Sequence, residues 1–209
     1  MTKAVRIHTN GGPEVMCWED IALPPLGRGE ARVRHTAIGI NYSDINVRRG
    51  GFYLARPLRF PVILGNEAAG VVESVGEDVT DVSAGDRVAY AGMRGEFFEQ
   101  TGAYAQARNV PAERLIKLPA GISDRQAAAM MVKGFTASLI INRVVRPKPG
   151  EPILIHTAAG GVGTSFASGR SISARPWSAP SARRRRPKSP RPTAAITWCS
   201  TERSILSPR

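Results

Sequence analysis

The sequence predicts an α+β chain, with a small β-barrel or sandwich over residues 1–122 and the first elements of an α/β layer over residues 123–164. Three observations predict this class. Residues 1–122 consist of short apolar runs separated by Gly, Asp and Pro, and residues 123–145 change to a helical period. Residues 165–209 then lose any periodic apolar pattern, which predicts a disordered tail.

The strands of the first segment follow from alternation and from Val-rich runs. Glu30–Ile40 alternates in a two-residue period, typical of a strand with two different faces. Ala69–Val75 and Arg87–Ala91 are short Val-rich runs, and Arg114–Leu118 is a further run closed by Pro119. Many short strands with Gly and Pro turns favour a small barrel or sandwich.

The second segment reads as a helix followed by a buried strand. Ser123 and Gln126 form a capping box. Small and apolar residues then recur at helical spacing: Ala127, Met130, Met131, Gly134, Ala137, Ser138 and Ile141. After Pro147–Gly150, the apolar run 152–156 predicts a strand of a parallel sheet, buried on both faces.

A glycine turn follows that run directly. It fits the pattern G-x-G-x-x-G with Ala158 in the first position and with Gly160 and Gly163 in the others. Small residues let the backbone approach a pyrophosphate, and the next helix points its free N–H groups at the anion. The alternative is an ordinary glycine-rich turn. The acidic residue expected about 20 positions later is absent, and Arg183–Arg186 stands there instead.

The basic charge of the chain belongs to its last segment. The formal net charge is +12, of which residues 165–209 contribute +9. The same segment holds ten Ser and six Pro, and Pro would interrupt a helix or a central strand. We therefore expect no helix and no second parallel strand after the glycine turn.

Cysteine usage and the N-terminus predict a cytoplasmic protein. Cys17 and Cys199 are far apart, and neither belongs to a CxxC pair, so a disulfide framework is not expected. The first residues lead into no long apolar stretch, which predicts neither a signal peptide nor a membrane span.

Polar clusters beside glycines mark candidate site residues, and each has a simpler interpretation. Asn41 could be a turn cap, Glu67 a hydrogen-bonded carboxylate at the end of a strand, and Lys133 part of a solvated helix face. Taken singly, the simpler interpretation is favoured for each.

The order of six motifs resembles one family. The motifs are Gly11–Val15, Gly39–Asn41 with Asp44, Gly65–Gly70, Ala84–Val88, Gly102–Ala105 and His156–Gly163. Together they resemble the quinone oxidoreductase (zeta-crystallin-like) branch of the medium-chain dehydrogenase/reductase family. The resemblance implies a GroES-like β-barrel catalytic domain at residues 1–122 and the start of a Rossmann NADPH-binding domain at residues 123–164, incomplete here.

The resemblance also implies an activity and a set of site residues. The activity is hydride transfer from NADPH to a quinone, an enone or another electrophilic carbonyl compound. Asn41 and Tyr42 would be catalytic, bordering the nicotinamide and the substrate. Asn41, Lys133 and Thr136 would contact the nicotinamide end of the cofactor. The pyrophosphate would be held by Ala159, Gly160, Gly161, Val162 and Gly163. Members of the family are usually homodimers, but the dimer edge is not encoded here.

The cleft motifs predict no catalytic metal. Zinc-dependent relatives use a Cys in the first cleft motif and Gly-His-Glu in the second, whereas this chain has neither Cys nor His in them and carries Asn66 at the His position. A catalytic zinc needs about three protein ligands. The relatives' four-Cys structural zinc loop is also missing around residues 92–102.

The departure from the family after the glycine turn suggests a frameshift between Gly163 and Ile172. Read from the third base of GC-rich codons, Ile172–Pro208 yields a family-like continuation. The truncated chain is then expected to be inactive or impaired. The alternative is a non-catalytic module whose basic tail binds nucleic acid electrostatically; this tail has little aromatic interleaving, so no specific nucleic acid is expected.

Overall fold

The chain folds as two compact units, Met1–Val132 and Lys133–Arg209. This computed structural model describes residues 1–51, 58–92, 102–147 and 153–172, with side chains as far as Phe166. The predictions for residues 173–209 and for most of the zinc-loop region lie outside the described residues. The division falls ten residues after the predicted boundary at 122/123, because the first half of the helix that begins at Asp124 packs with the first unit.

The described elements are eight strands and three α-helices, in this order. The strands are β1 (Thr2–Ile7), β2 (Met16–Ile21), β3 (Glu30–Gly39), β4 (Val62–Ile63), β5 (Glu67–Val75), β6 (Arg87–Ala91), β7 (Ala107–Pro111) and β8 (Ile116–Lys117). The helices are α1 (Tyr42–Arg49), α2 (Asp124–Leu139), continued by a π-helical stretch (Ile140–Val145), and α3 (Gly161–Ile172). Short 3₁₀ turns lie at Pro13–Val15 and Ala112–Arg114.

The strands form two antiparallel sheets in the first unit. The smaller sheet has the order β2-β1-β4 and the larger the order β7-β3-β5-β6-β8. The predicted strands at residues 30–40, 69–75 and 87–91 are confirmed as β3, β5 and β6. The predicted strand at residues 114–118 is reduced to β8, because Ala112–Arg114 turns as a 3₁₀ helix first.

The core of the first unit lies under the larger sheet. Its fully buried side chains include Val33, Val88, Tyr90 and Val110, which come from the three strands β3, β6 and β7. A second cluster joins Ile7, Val47 and Leu64. One face of each of these strands enters the core, which explains why apolar residues alternate along the sequence.

Helix α2 begins as the sequence predicts. The Ser123 N–H donates to Oε1 of Gln126 at 2.9 Å, and the Gln126 N–H donates to Oγ of Ser123 at 3.3 Å, which confirms the capping box. Asp124 in the first turn accepts from the Arg87 guanidinium on β6 at 2.6 Å. The helical stretch ends at Arg146, whose φ is 45°.

The stretch Asp124–Val145 is long and apolar enough to cross a membrane by length and composition alone, with a hydropathy of 1.3, although the sequence analysis predicted no span. Core helices pass the same test. Here 17% of the apolar window is buried, and only the beginning of the helix packs in a core, in a cluster made of Ala69, Ala89, Ala127, Ala128 and Met131. The criterion is therefore weak evidence for a membrane segment.

The second unit differs from the sequence prediction in two elements. The strand predicted at residues 152–156 is reduced, among the described residues 153–156, to a single bridge at Leu154, whose side chain is 63% exposed. A parallel strand needs a neighbouring strand for its hydrogen bonds, and none is assigned among the described residues of this unit.

The expectation that no helix follows the glycine turn is wrong for residues 161–172, which form α3. No proline occurs between the turn and Pro176. Val162 and Phe166 stand four residues apart on one face, where they pack with Ala137 and Ile155. The composition of the more distant tail had outweighed this local pattern.

Candidate functional site

Asn41 caps the N-terminus of α1, directly after β3. Its backbone is extended, with φ −126° and ψ 151°, and its N–H donates to Oδ2 of Asp44 at 2.9 Å. Asp44 thus supplies the reciprocal half of a capping box, while its own N–H donates to the backbone carbonyl of Asn41 at 3.0 Å. The turn-cap interpretation of Asn41 is thus confirmed, and its side chain is still only half-buried.

The Asn41 side chain is held by a hydrogen bond to Glu67. Nδ2 of Asn41 donates to Oε1 of Glu67 at 2.8 Å, and the other carboxylate oxygen, Oε2, accepts the backbone N–H of Val132 on α2 at 2.6 Å. Glu67 is the first residue of β5 and is completely buried. The interpretation of Glu67 as a hydrogen-bonded carboxylate at a strand end is confirmed.

Asp44 joins a second set of polar side chains. Its Oδ1 accepts from Nδ2 of Asn66 and its Oδ2 from the hydroxyl of Tyr104, both at 2.9 Å. Burial raises the pKa of Asp44, and these donors oppose that rise. Oδ1 of Asn66 is buried without a hydrogen-bond partner among the described residues. Asn66 therefore stands at the position matched to the zinc-ligand His, and its amide donates a hydrogen bond to Asp44.

Tyr42 follows the cap and points away from the core, with 71% of its surface exposed. The same end of β3 borders an open groove of about 380 Å³ in the first unit, with a largely apolar lining. The sequence analysis missed its exposed members, Trp18 and Ile40. Trp18 lies on β2 in the smaller sheet, whereas most of the groove is lined by β3 of the larger sheet. The alternation of residues within one strand does not predict which residues of another sheet it will face.

The second unit contains the predicted glycine turn. Thr157 has a positive φ of 57°, its carbonyl accepts the N–H of Gly160 at 2.9 Å, and α3 begins at Gly161. A Cβ at Gly163 would lie 2.5 Å from the Thr157 carbonyl oxygen. Glycine is therefore required at position 163 for the turn to close against the helix.

Lys133 lies against this turn. A Cβ at Gly161 would stand 2.8 Å from Cδ of Lys133, so the aliphatic stem of the lysine packs directly on the glycine. Thr136, three residues further along α2, is half-buried on a neighbouring position of the same helical face. The interpretation of Lys133 as part of a solvated face is wrong, because the turn covers its stem.

The second unit fits an anionic group at the start of α3. The first N–H groups of a helix, here from Gly161 onward, have no carbonyl partner within the helix and carry a partial positive charge. Lys133, whose aliphatic stem packs on Gly161, brings a cationic side chain to the same turn. Ala159 is exposed and Val162 half-buried. The structure thus joins Lys133 with the turn residues in one unit and Asn41 with Tyr42 in the other.

Within residues 1–51, 58–92, 102–147 and 153–172, no three or more His, Cys, Asp or Glu side chains are grouped to hold a metal ion. Asn66, at the position matched to the zinc-ligand His, and Asn41, in the first cleft motif, both donate to carboxylates.

Comparison with known proteins gives a consistent result. Residues 27–120 match the alcohol dehydrogenase GroES-like domain. The chain is 41% identical over 168 residues to a 2-haloacrylate reductase of a Burkholderia species and 43% identical over 163 residues to a quinone oxidoreductase of Pseudomonas aeruginosa. Each alignment covers 78% of this chain, and 48% and 47% of the respective relative.

The fold agrees with these relatives. The crystal structure of the Escherichia coli quinone oxidoreductase complexed with NADPH superimposes with a TM-score of 0.77 at 36% identity, covering 85% of this chain and 52% of that one. The chain thus spans about half the length of the relatives it matches. The matched part of the chain belongs to the quinone oxidoreductase branch of the medium-chain dehydrogenase/reductase family, an oxidoreductase family, and includes its GroES-like domain.

Proposed function

We propose that residues 1–163 carry the catalytic half of an NADPH-dependent reductase that transfers a hydride to a quinone or to another electrophilic carbonyl compound such as an enone. The observation that carries the proposal is the packing of Lys133 on the glycine turn at the start of α3. That arrangement offers the free N–H groups of a helix, which suit a dinucleotide phosphate, beside a lysine that would contact the nicotinamide end of the same cofactor.

The chain's own residues would bind and orient the reactants. Ala159 and Gly160–Gly163 would hold the pyrophosphate, and Lys133 and Thr136 would contact the nicotinamide end. Asn41 and Tyr42 would border the nicotinamide and the substrate. Bound NADPH would supply the hydride, and one proton from solvent would complete a hydroquinone. The protein contributes position and electrostatics, since the cofactor carries the chemistry.

The 209-residue chain itself is proposed to be inactive or impaired. The alignments with the two relatives are 168 and 163 residues long and cover about half of each relative. Leu154 is largely exposed and has only a bridge contact where a strand of a parallel sheet was expected. We expect no NADPH binding at micromolar concentration, measured by nicotinamide fluorescence. Micromolar binding by the purified chain would contradict this part of the proposal.

A fusion tests whether residues 1–163 are competent. These residues would be joined to the remaining C-terminal half of the Pseudomonas aeruginosa quinone oxidoreductase. We expect NADPH-dependent quinone reduction by the fusion and no reduction by the 209-residue chain. The matched control is the same fusion with Gly163→Val, whose branched side chain would meet the Thr157 carbonyl. A folded fusion without reductase activity would overturn the proposed function.

The proposed frameshift between Gly163 and Ile172 has an independent test. Sequencing the gene and its transcript through the codons for residues 160–175, together with the intact mass of the protein, decides it. An uninterrupted frame that yields the 209-residue mass would rule out a sequencing error as the origin of the tail.

A further inference from the structure

Glu67 is a buried carboxylate with no assigned part in the proposed reaction. It is completely buried, so it cannot touch a ligand directly. Its two oxygens accept from two different elements: Oε1 from the Asn41 side chain at the start of α1, and Oε2 from the Val132 backbone on α2. A buried carboxylate with such contacts links the candidate ligand-binding amide to a rigid helix.

The chemistry of a carboxylate fixes the orientation of the Asn41 amide. An ionised carboxylate offers only acceptors, whereas an amide offers donors on Nδ2 and an acceptor on Oδ1. Inversion of the Asn41 amide would place Oδ1 against Oε1 of Glu67, two acceptors at the 2.8 Å now occupied by a hydrogen bond. The polarity that Asn41 presents on its half-buried side is therefore set by Glu67.

Close packing keeps Glu67 in that place. A Cβ at Gly39, the partner of Glu67 across β3 and β5, would lie 2.4 Å from Oε1 of Glu67 and 2.4 Å from the Ala128 carbonyl oxygen. Glycine at position 39 thus lets the carboxylate lie between β3 and α2. The carboxylate has little freedom to move away from Asn41, because the backbone of α2 and the strand enclose it.

We propose that Glu67 is a positioning residue that fixes the place and the amide orientation of Asn41 for the nicotinamide end of the cofactor and the substrate. The role of Asn41 in this statement rests on the proposed function. The hydrogen bond between Glu67 and Asn41 does not rest on it. Loss of the carboxylate frees the amide to invert, and a preorganised contact becomes one that must be ordered when the ligand binds.

The test compares Glu67→Gln with Glu73→Gln in the full 209-residue chain. Both residues lie on β5, but Glu73 is exposed and pairs with Arg34 at 3.3 Å. The readout is the side-chain NH₂ signal pair of Asn41 in ¹⁵N NMR, assigned by its loss in Asn41→Ser. We expect Glu67→Gln to shift this pair and to increase its hydrogen exchange, and Glu73→Gln to leave it unchanged. An unchanged pair in a folded Glu67→Gln protein would overturn the proposal.

The unmodified chain provides a second measurement if Glu67→Gln does not fold. The Asn41 amide protons should exchange at least about tenfold more slowly than those of Asn142, whose exposed amide donates to the neutral hydroxyl of Ser138 at 3.1 Å, because a hydrogen bond to a charged group is stronger. Equal exchange rates would count against Glu67 as the anchor.

The functional consequence is measured in the fusion that tests the proposed function. We expect Glu67→Gln to lower kcat/KM for quinone reduction about tenfold and Glu73→Gln to leave it unchanged. Equal activity of the two variants would overturn the positioning role. A fusion that is inactive before any substitution would reject the proposed function instead, and the NMR comparison would still decide whether Glu67 positions Asn41.

Discussion

The hydroxyl of Tyr90 and Nε2 of His35 lie 3.0 Å apart in the larger sheet, while Nδ1 of His35 stands 2.6 Å from the Ala105 carbonyl oxygen. Since a carbonyl can only accept, Nδ1 donates its proton to Ala105, and Nε2 accepts from Tyr90. This arrangement requires a neutral ring. The pKa of His35 is lowered to about 4, mainly by burial; the hydrogen bond to Ala105 opposes this fall, and the nearby Arg108 charge contributes to it.

Stability should therefore fall as the pH falls from about 6.5 to about 4. In this window the unfolded chain binds a proton at His35 and the folded chain does not, so protonation favours unfolding. The fall of the pKa from 6.5 to about 4 corresponds to about 3 kcal/mol. Urea unfolding at several pH values measures this fall in stability.

The variant His35→Gln should flatten the dependence of the unfolding free energy on pH, and His8→Gln, at an exposed histidine, should not. An equal slope in His35→Gln would show that another group is responsible.

The close approach at Gly39 makes a second prediction. Gly39→Ala would place a methyl group 2.4 Å from the Glu67 side chain and from the Ala128 backbone carbonyl, and the complete burial of Glu67 prevents an easy retreat. We expect a loss of about 1 to 3 kcal/mol in the free energy of unfolding. The matched control is Gly121→Ala, where a Cβ meets nothing within 4 Å. Thermal unfolding of the two variants measures the difference, and equal stability would contradict the packing.

The exposed bridge residue of the second unit makes a third prediction. Leu154 is 63% exposed, whereas its neighbour Ile155 is 9% exposed and belongs to the core with Phe166. Leu154→Glu should reduce self-association at little cost in stability, within about 0.5 kcal/mol, because an apolar strand residue with an open edge favours intermolecular pairing. Sedimentation velocity measures the association. Association that is unchanged in Leu154→Glu would show that this residue does not drive it.

Ile155→Glu is the control for that prediction. A charge at this nearly buried position, among the apolar side chains of Ala137, Ala158 and Phe166, should unfold the second unit at a cost of several kcal/mol. Hydrogen exchange of the α3 amides would report the loss. A stable Ile155→Glu variant would mean that the cluster around Phe166 does not hold this unit together.

The sequence predicted local features well and long-range contacts poorly. Strand β6 was predicted residue for residue, because a Val-rich run between two turns needs only neighbours in the chain. The capping box of α2 was predicted for the same reason. The contact between Glu67 and Val132 joins residues 65 positions apart, and it depends on how a strand end meets a helix. No periodicity encodes such a pair.

The site was predicted to the same limit. The resemblance named Asn41, Lys133 and the turn residues, but not their supports. The carboxylate of Glu67, which contacts Asn41, was interpreted only as structural. The packing of Lys133 on Gly161 brings together two residues 28 positions apart in the sequence, and residues 148–152 between them lie outside the described part of the chain. Such contacts follow from tertiary packing, which overrides the solvated face suggested by the helical pattern around Lys133.

Gly163 makes the last prediction, in the second unit. A methyl group there would stand 2.5 Å from the Thr157 carbonyl oxygen and 2.7 Å from Cα of Ala158, both of them backbone atoms. Gly163→Ala should therefore shift the start of α3 and destabilise the second unit by about 1 to 3 kcal/mol. Hydrogen exchange at residues 163–166 measures this locally. Gly160→Ala is the control, because its nearest contacts are at 3.2 Å and one of them is the Thr157 methyl group. If both variants exchange equally fast, the turn does not depend on glycine at position 163, and the case for a phosphate-binding turn loses its geometric basis.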